Sequence, residues 1–314
     1  MAFSRLFSPR FAPWFDLSGD PVYRWEVRRF WTRRWWIIAT LVVLGGAGLL
    51  ASLSVFQRVM MLAAVGGTVS ADSGPPWWGI LLSAVATLPG SSRLPLTLLA
   101  VIAGALAIAP ERESGQLEQF VLTPIDPWRL GRARYAARMR GLVLLFLVLG
   151  CIGLAAVFLA AVTGDIAWFP VPGQMPGTVR GTWSNVSASS YWGGMVSLHC
   201  ADLLVTLLLD GAIGLAFSSR MRSTGAAVGL ALLFSFVVVP FIVWLPVSVL
   251  GAVVTFVFVV FKSTANPNSM IRTMALMQLG GTVLHMVLCL VGVRVFLRIA
   301  RKGLARLFGR PEAV

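Results

Sequence analysis

Glu111-Arg112-Glu113-Ser114-Gly115-Gln116-Leu117-Glu118-Gln119-Phe120-Val121-Leu122-Thr123-Pro124 is a short polar-apolar stretch between two long hydrophobic runs. Pro110 suits the first turn of a helix, and Glu111 and Glu113 suit its positive N-terminal end. Leu117, Phe120 and Val121 then form an apolar edge, and Thr123-Pro124 stops the helix. The spacing predicts a helix over 111–122 that lays its apolar edge in a groove on a soluble partner, with Glu113, Gln116 and Glu118 around the rim. The alternative is a solvated loop whose glutamates neutralise nearby arginines.

The runs on either side set the class of protein. The chain has 314 residues, 57% hydrophobic and 12% charged, with a mean hydropathy of +0.83. Those values exclude an ordinary soluble domain and indicate a polytopic membrane protein. A span needs roughly 20 apolar residues, which leaves room for about six. The net charge of +14 belongs to arginines that set orientation and meet anionic headgroups, not to nucleic-acid binding.

Six spans are expected in an all-α chain. The first runs from about Trp36 to Phe56. The second ends at Ala109 and begins between Trp77 and Ser91. The third is Gly141–Val162, the fourth about Met195–Phe217, the fifth starts near Gly225, and the last is about Met274–Leu297. Trp77–Ala109 as one helix would measure about 50 Å against a core of about 30 Å. Pro89, Pro95 and the intervening Gly90-Ser91-Ser92-Arg93 should break or kink it. Pro240 and Pro246 interrupt the fifth run in the same way, so a fifth span followed by a re-entrant outer segment over 241–262 is expected.

Arginines support this layout. Arg5, Arg10, Arg24, Arg28, Arg29, Arg33 and Arg34 precede the first span, and Arg112, Arg129, Arg132, Arg134, Arg138 and Arg140 lie between the second and third. Arg220 and Arg222 separate the fourth from the fifth, and Arg294, Arg298, Arg301, Lys302, Arg306 and Arg310 cluster at the C-terminal end. The positive-inside rule then places both termini in the cytoplasm. Residues 1–35 form a cytoplasmic N-terminal segment without signal-peptide character, 36–298 the membrane domain, and 299–314 a basic tail. The outer loop 163–194 carries Trp168, Phe169, Trp183 and Trp192 for the headgroup level.

Asp20–Trp36 has a helical period of its own. Tyr23, Val27, Phe30 and Trp31 fall on one face and Glu26, Arg29 and Arg33 on another, with arginines suited to phosphates and tryptophans to the headgroup region. This predicts an amphipathic interfacial helix, against the simpler reading of a charged topogenic flank.

Two of these stretches carry a family resemblance. Glu111-Arg112-Glu113, Gly115, Leu117-Glu118 and Thr123-Pro124 resemble the signature after the second span of ABC-2-type permeases, the membrane subunits of type V ABC exporters. Asp20-Pro21-Val22-Tyr23-Arg24-Trp25-Glu26-Val27-Arg28 resembles the opening of many such permeases. Gln116 stands where threonine is commonest and Asp20 where asparagine is common; aspartate caps a helix as well as asparagine. The resemblance covers nearly the whole chain. It implies that Glu111–Leu122 is a coupling helix docking on an ATP-binding subunit through Glu111, Arg112, Glu113, Gly115, Gln116, Leu117, Glu118, Phe120, Thr123 and Pro124. It implies equally that Tyr23, Arg24, Glu26, Val27, Arg28 and Phe30 belong to a connecting helix beside that subunit, and that a second permease copy, identical or paralogous, completes the pathway.

The chain has no G-x-x-x-x-G-K-[ST] phosphate loop, so it is not expected to be an enzyme by itself. ATP and Mg would belong to the partner ATPase, with no cofactor on this chain. Function is then export of a lipid-like or amphipathic cargo across the cell membrane, a bacterial inner membrane, with lipids but no nucleic acid as further partners. A membrane scaffold or assembly subunit of a larger complex is the alternative. A redox subunit is a third reading, using His199 and His285 as haem ligands.

Within the spans, charged residues are functional candidates by default. Asp202 and Asp210 share a broad helical face and are candidates for a substrate pathway or dimer seam; alternatively, Asp202 is interfacial and Asp210 bonds a neighbouring helix or an arginine. Asp202 is three positions after His199, within hydrogen-bonding reach. His285 and Cys289 are one turn apart, with Met270, Met274 and Met277 near, but show no second ligand pair, so no metal is expected. Cys151, Cys200 and Cys289 all lie in apolar runs and form no disulfide framework.

Overall fold

The computed structural model describes residues 20–64, 77–117, 126–163, 185–245 and 267–309, together with 249 and 253. Among the described residues there is no strand; the regular structure is helical. α1 (Pro21–Phe30) is followed by α2 (Arg33–Ala64), α3 (Trp77–Ser91), α4 (Arg93–Ala105) and the short α5 (Ala109–Glu113). Next come α6 (Pro127–Thr163), α7 (Asn185–Ser218) and α8 (Thr224–Leu233), then π-helical turns at Phe234–Val238 and Pro240–Trp244, and finally α9 (Pro267–Leu307).

Among the described residues, five helical stretches are long and apolar enough to cross a membrane: Leu81–Glu113, Pro127–Thr163, Gly193–Ser218, Thr224–Val243 and Leu279–Leu307. They are compatible with a multi-pass membrane protein. The first expected span, 36–56, falls on α2, where Arg34–Leu49 is a shorter apolar helix. Leu144, Leu147, Phe158 and Val162 of α6 and Leu290, Val291 and Val295 of α9 are exposed. A lipid-facing surface has that composition, because hydrocarbon favours apolar side chains on the outside of a bundle.

The break expected between Trp77 and Ala109 occurs at Ser92. Pro89 sits inside α3, and the Ser92 hydroxyl donates to the Pro89 carbonyl at 2.8 Å. A serine side chain thus bonds a backbone acceptor where the helix is interrupted.

α7 is the centre of the bundle, packed by α4, α6, α8 and α9. Leu203, Leu207, Ala212 and Leu215 on α7 meet Leu96 and Ala100 on α4, Phe146 on α6 and Leu297 and Ala300 on α9. In lipid, helix association depends on close packing more than on apolar burial, so small residues carry the tightest crossings. Gly104 on α4 lies against Gly211 and Gly214 on α7, where a Cβ at Gly104 would overlap the Gly211 carbonyl oxygen. At the arginine-rich end, a Cβ at Gly141 would overlap the Trp31 ring, and Trp31 Nε1 donates to the Ala137 carbonyl at 2.8 Å. α1 is therefore docked on α6 rather than merely adjacent in sequence.

Pro240 has no N–H for the Phe236 carbonyl, and its ring crowds the preceding turn, so the α-helical register is lost on approach to it. The chain takes two π turns there instead. Such turns recur at functional sites because they re-aim side chains, and here they carry Ser235, Phe236, Val239 and Pro240 to one cavity wall. Most of the expected re-entrant segment, 241–262, lies outside the described residues.

Candidate functional site

Two polar clusters stand out, one at the arginine-rich end and one inside the bundle. The first begins with Asp20, whose side chain caps α1 by accepting from Val22 N at 2.9 Å. Its other oxygen accepts from Arg129 Nε at 2.8 Å. Burial pushes the Asp20 carboxyl upward, but the hydrogen bonds from Arg129 and from the Val22 and Tyr23 backbones outweigh it. Its pKa therefore lies below the ordinary carboxylate value, and Asp20 is ionised at neutral pH.

Arg134 is the hub. Its side chain is fully buried, and Nε donates to Glu26 Oε1 at 2.9 Å. Nη1 donates to the Ala107 carbonyl at 3.2 Å and forms an ion pair with Glu111 Oε2 that lacks hydrogen-bond alignment. Arg29 Nη1 reaches Glu111 Oε1 at 3.1 Å. One guanidinium therefore ties α1 to α5 across α6. Arg138 lies over the Phe30 ring at 4.6 Å and donates to the Ala103 carbonyl at 3.0 Å.

The other side of α5 is tied to α7 and α8. Ser218 Oγ accepts from Ile108 N at 2.9 Å and from Ala109 N at 2.8 Å, satisfying two backbone donors at the start of α5. Arg112 Nη1 donates to the Met221 carbonyl at 3.1 Å, and Glu113 Oε2 accepts from Thr224 N at 2.9 Å, at the N-terminus of α8.

Beyond this anchor the chain turns outward. Glu113, Ser114, Gly115 and Gln116 are exposed, while Leu117 is buried in the core. Gly115 has φ +73°, a left-handed conformation that glycine adopts without penalty and that ends helices. Of the single helix expected over 111–122, the described part, 111–117, is the end of α5 (Ala109–Glu113), a turn at Ser114–Gln116 and the helical residue Leu117. Glu118, Phe120, Thr123 and Pro124 lie outside the described residues.

Of the residues singled out in α1 and its C-cap, Tyr23, Val27, Phe30 and Trp31 are half-buried, and Arg24 and Arg28 are exposed. Glu26, placed by the period on the polar face, is buried, because Arg134 draws it against α6. In the sequence Arg134 reads only as a topogenic charge. Its register held the signal: Leu130, Arg134, Ala137 and Gly141 share one helical stripe, and all four are buried.

The second cluster is held between helices. Asp202 and Asp210 are 6% and 2% exposed. His199 turns away from Asp202, with Nδ1 2.9 Å from the Met195 carbonyl. Asp202 pairs instead with His285 Nδ1 on α9, while Arg93 Nη1 stands 3.9 Å from its other oxygen. Ser235 Oγ donates to Asp210 Oδ1; Asp210 Oδ2 is buried with no hydrogen-bond partner among the described residues. The Thr97 hydroxyl also interacts with that carboxyl. These groups border a cavity of about 370 Å³ lined by Thr97, Thr206, Asp210, Ser235, His285 and Cys289 among others. The spacing pairs His285 with Cys289, whose Sγ lies 3.6 Å from Nε2; its partnership with Asp202 joins helices distant in sequence, which spacing within one helix does not reveal. Among the described residues no group of three His, Cys, Asp or Glu side chains is placed to hold a metal ion.

No protein-family model matches the chain, and no curated protein matches it.

Proposed function

We propose that this chain is the transmembrane permease subunit of an ATP-binding cassette exporter, an ABC-2-type permease driven by a separate ATPase. Its cargo in this reading is lipid-like or amphipathic. Six spans, with α2 supplying the first and a re-entrant segment over 241–262, and cytoplasmic termini complete the arrangement. Two copies would enclose the pathway in the plasma membrane.

The observation that carries the reading is the mounting of Glu113–Gln116. An exposed polar turn stands at the end of a span, on a base clamped through Arg134 to α1 and α6 and through Ser218 and Glu113 to α7 and α8. A displacement applied at that turn would be passed to four helices through these ion pairs and side-chain-to-backbone hydrogen bonds. Binding energy from a closing ATPase pair could then switch the bundle between inward and outward access.

Charge reversal at Glu113 and Glu118 tests it. Glu113→Lys with Glu118→Lys should weaken ATPase association by about tenfold or more, since it reverses the charge offered to a partner surface complementary to glutamates in this reading and removes the Glu113–Thr224 contact that steadies the turn. The variant should still insert and elute as the wild type does. Undiminished ATPase binding and transport in the double variant would refute the assignment.

A further inference from the structure

The short loop between α7 and α8 is held at both ends and along its length. Arg220 N and Met221 N both bond the Phe217 carbonyl, at 3.0 and 2.9 Å, where α7 ends. Ser223 caps α8, its Oγ accepting from Ala226 N at 3.1 Å. Consecutive residues of α5 grip the stretch between: Arg112 Nη1 donates to the Met221 carbonyl, and Glu113 Oε2 accepts from Thr224 N. The loop and the exposed turn at Ser114–Gln116 are therefore parts of one surface.

On that surface Arg220 and Arg222 are exposed, while Arg112 and Met221 are half-buried. Arg222 lies close enough to Arg112 for its charge to act on it. None of the ion pairs among the described residues includes these three arginines; the paired carboxylates go to Arg29, Arg93, Arg129, Arg134 and His285. Like charges at close quarters repel, and an arriving carboxylate relieves that repulsion. The fork of N–H groups on a guanidinium donates to both oxygens of such a group.

Distance along the helices separates this cluster from lipid phosphates. Gly292 lies against Leu209 and Gly303 against Ser219, so α9 runs beside α7 in the same direction. Val295 is the last large apolar side chain exposed on α9 among the described residues. From Val295 to Gly303, level with Ser219, is about 12 Å of helix axis. On α8 the first such exposed side chain is Leu230, about 10 Å from Ser223 at the same rise. A headgroup zone is only about 5–8 Å deep on each side of the hydrocarbon. Arg220 and Arg222 thus stand beyond the headgroups, where a soluble chain is the partner within reach.

We propose that Arg220 and Arg222, with Arg112 behind them, dock an acidic segment of the partner ATPase, whose Asp or Glu side chains pair with the guanidiniums beside the Ser114–Gln116 turn. The docking surface then carries both signs, glutamate on the turn and arginine on the loop, and a two-signed surface fixes the register of its partner. The proposal rests on the export reading for the identity of that partner. The acidic chemistry of the contact follows from the loop itself, so either claim can fail without the other.

The test uses the full chain in its native membrane, carrying Arg220→Lys with Arg222→Lys and treated with a carbodiimide, which joins an amine only to a carboxylate in contact with it. Mass spectrometry of the crosslinked peptides should show positions 220 and 222 linked to Asp or Glu side chains of a phosphate-loop ATPase chain. Arg298→Lys, exposed on α9 within a turn of Val295, should give no link to that chain. Arg220→Glu with Arg222→Glu should elute as the wild type does yet retain about tenfold less ATPase on purification. The lysine pair, which keeps the charge, should retain it, so the loss is one of charge and not of folding. Links to acidic side chains of a soluble chain without a phosphate loop would support the surface and overturn the export reading. An ATPase that co-purifies, unlinked at both positions and undiminished by the reversal, would overturn the surface and leave the export reading standing. Links to lipid carboxylates alone, or none, would overturn the surface as well.

Discussion

Arg134→Met should lower the thermal midpoint of the purified protein by on the order of 10 °C, reflecting a loss of about 3–5 kcal/mol. Arg134 is fully buried, and its partner carboxylates on Glu26 and Glu111 are 2% and 11% exposed. Methionine fills much of the same volume, so the cost comes from removing the ion pair of Glu26 and leaving Glu111 with Arg29 alone, rather than from a cavity. Removing one member of a buried ionic group is expensive even where the intact group contributes little net stability. Neutralising the partners should therefore rescue the variant: Glu26→Gln with Glu111→Gln on the Arg134→Met background should recover much of the lost midpoint, a coupling that additive effects would not produce. Cleavage within residues 20–32 in limited proteolysis should rise in the single variant and fall again in the triple one. An unchanged midpoint in Arg134→Met would show that α1 is held without Arg134, by Asp20–Arg129, Arg29–Glu111 and the Phe30 and Trp31 contacts.

Gly104→Val should be more disruptive still, abolishing the monodisperse folded peak in size-exclusion chromatography. A Cβ at that position would overlap the Gly211 carbonyl oxygen and come within 3.1 Å of Gly214 Cα. Backbone cannot step aside as a flexible side chain can, so α4 would have to move away from α7. Overpacking a well-filled interior costs about 1–3 kcal/mol and more where a helix must shift. Gly48→Val is the matched control, because a Cβ there meets nothing within 4 Å. It should elute like the wild type, as valine in a helix is no worse than glycine. Equal behaviour of the two variants would mean that the α4–α7 crossing is not what sets bundle integrity.

Both predictions concern features only half legible in the sequence. The helical class and the apolar stretches could be read directly, because hydrocarbon admits few alternatives to an apolar helix and the runs are long. The interruption near Ser92 was legible too, since proline removes a donor whatever the tertiary context. Pairings were not. Arg134 reads as one more positive-inside residue until α1 and α5 are brought to it, and only its position on the Leu130–Ala137–Gly141 stripe distinguishes it from Arg132 or Arg140. His285 reads as a neighbour of Cys289, yet its carboxylate comes from α7. Helical spacing exposes contacts within a helix and is silent about contacts between helices. The turn at Ser114–Gln116 was likewise obscured: the apolar period of Leu117, Phe120 and Val121 argued for one continuous helix, while the left-handed backbone at Gly115 divides it. Sequence marked the polar segment as special but not the way it is mounted.

That mounting is the basis of the functional account, and its most direct test is the identity of what the protein associates with. The chain should be purified in mild detergent from its native membrane, with no candidate partner added, and every co-purifying chain identified by mass spectrometry. The account predicts a stoichiometric subunit that carries a phosphate-loop ATPase domain. A stable native complex without any such subunit would contradict it and make a membrane scaffold the better description.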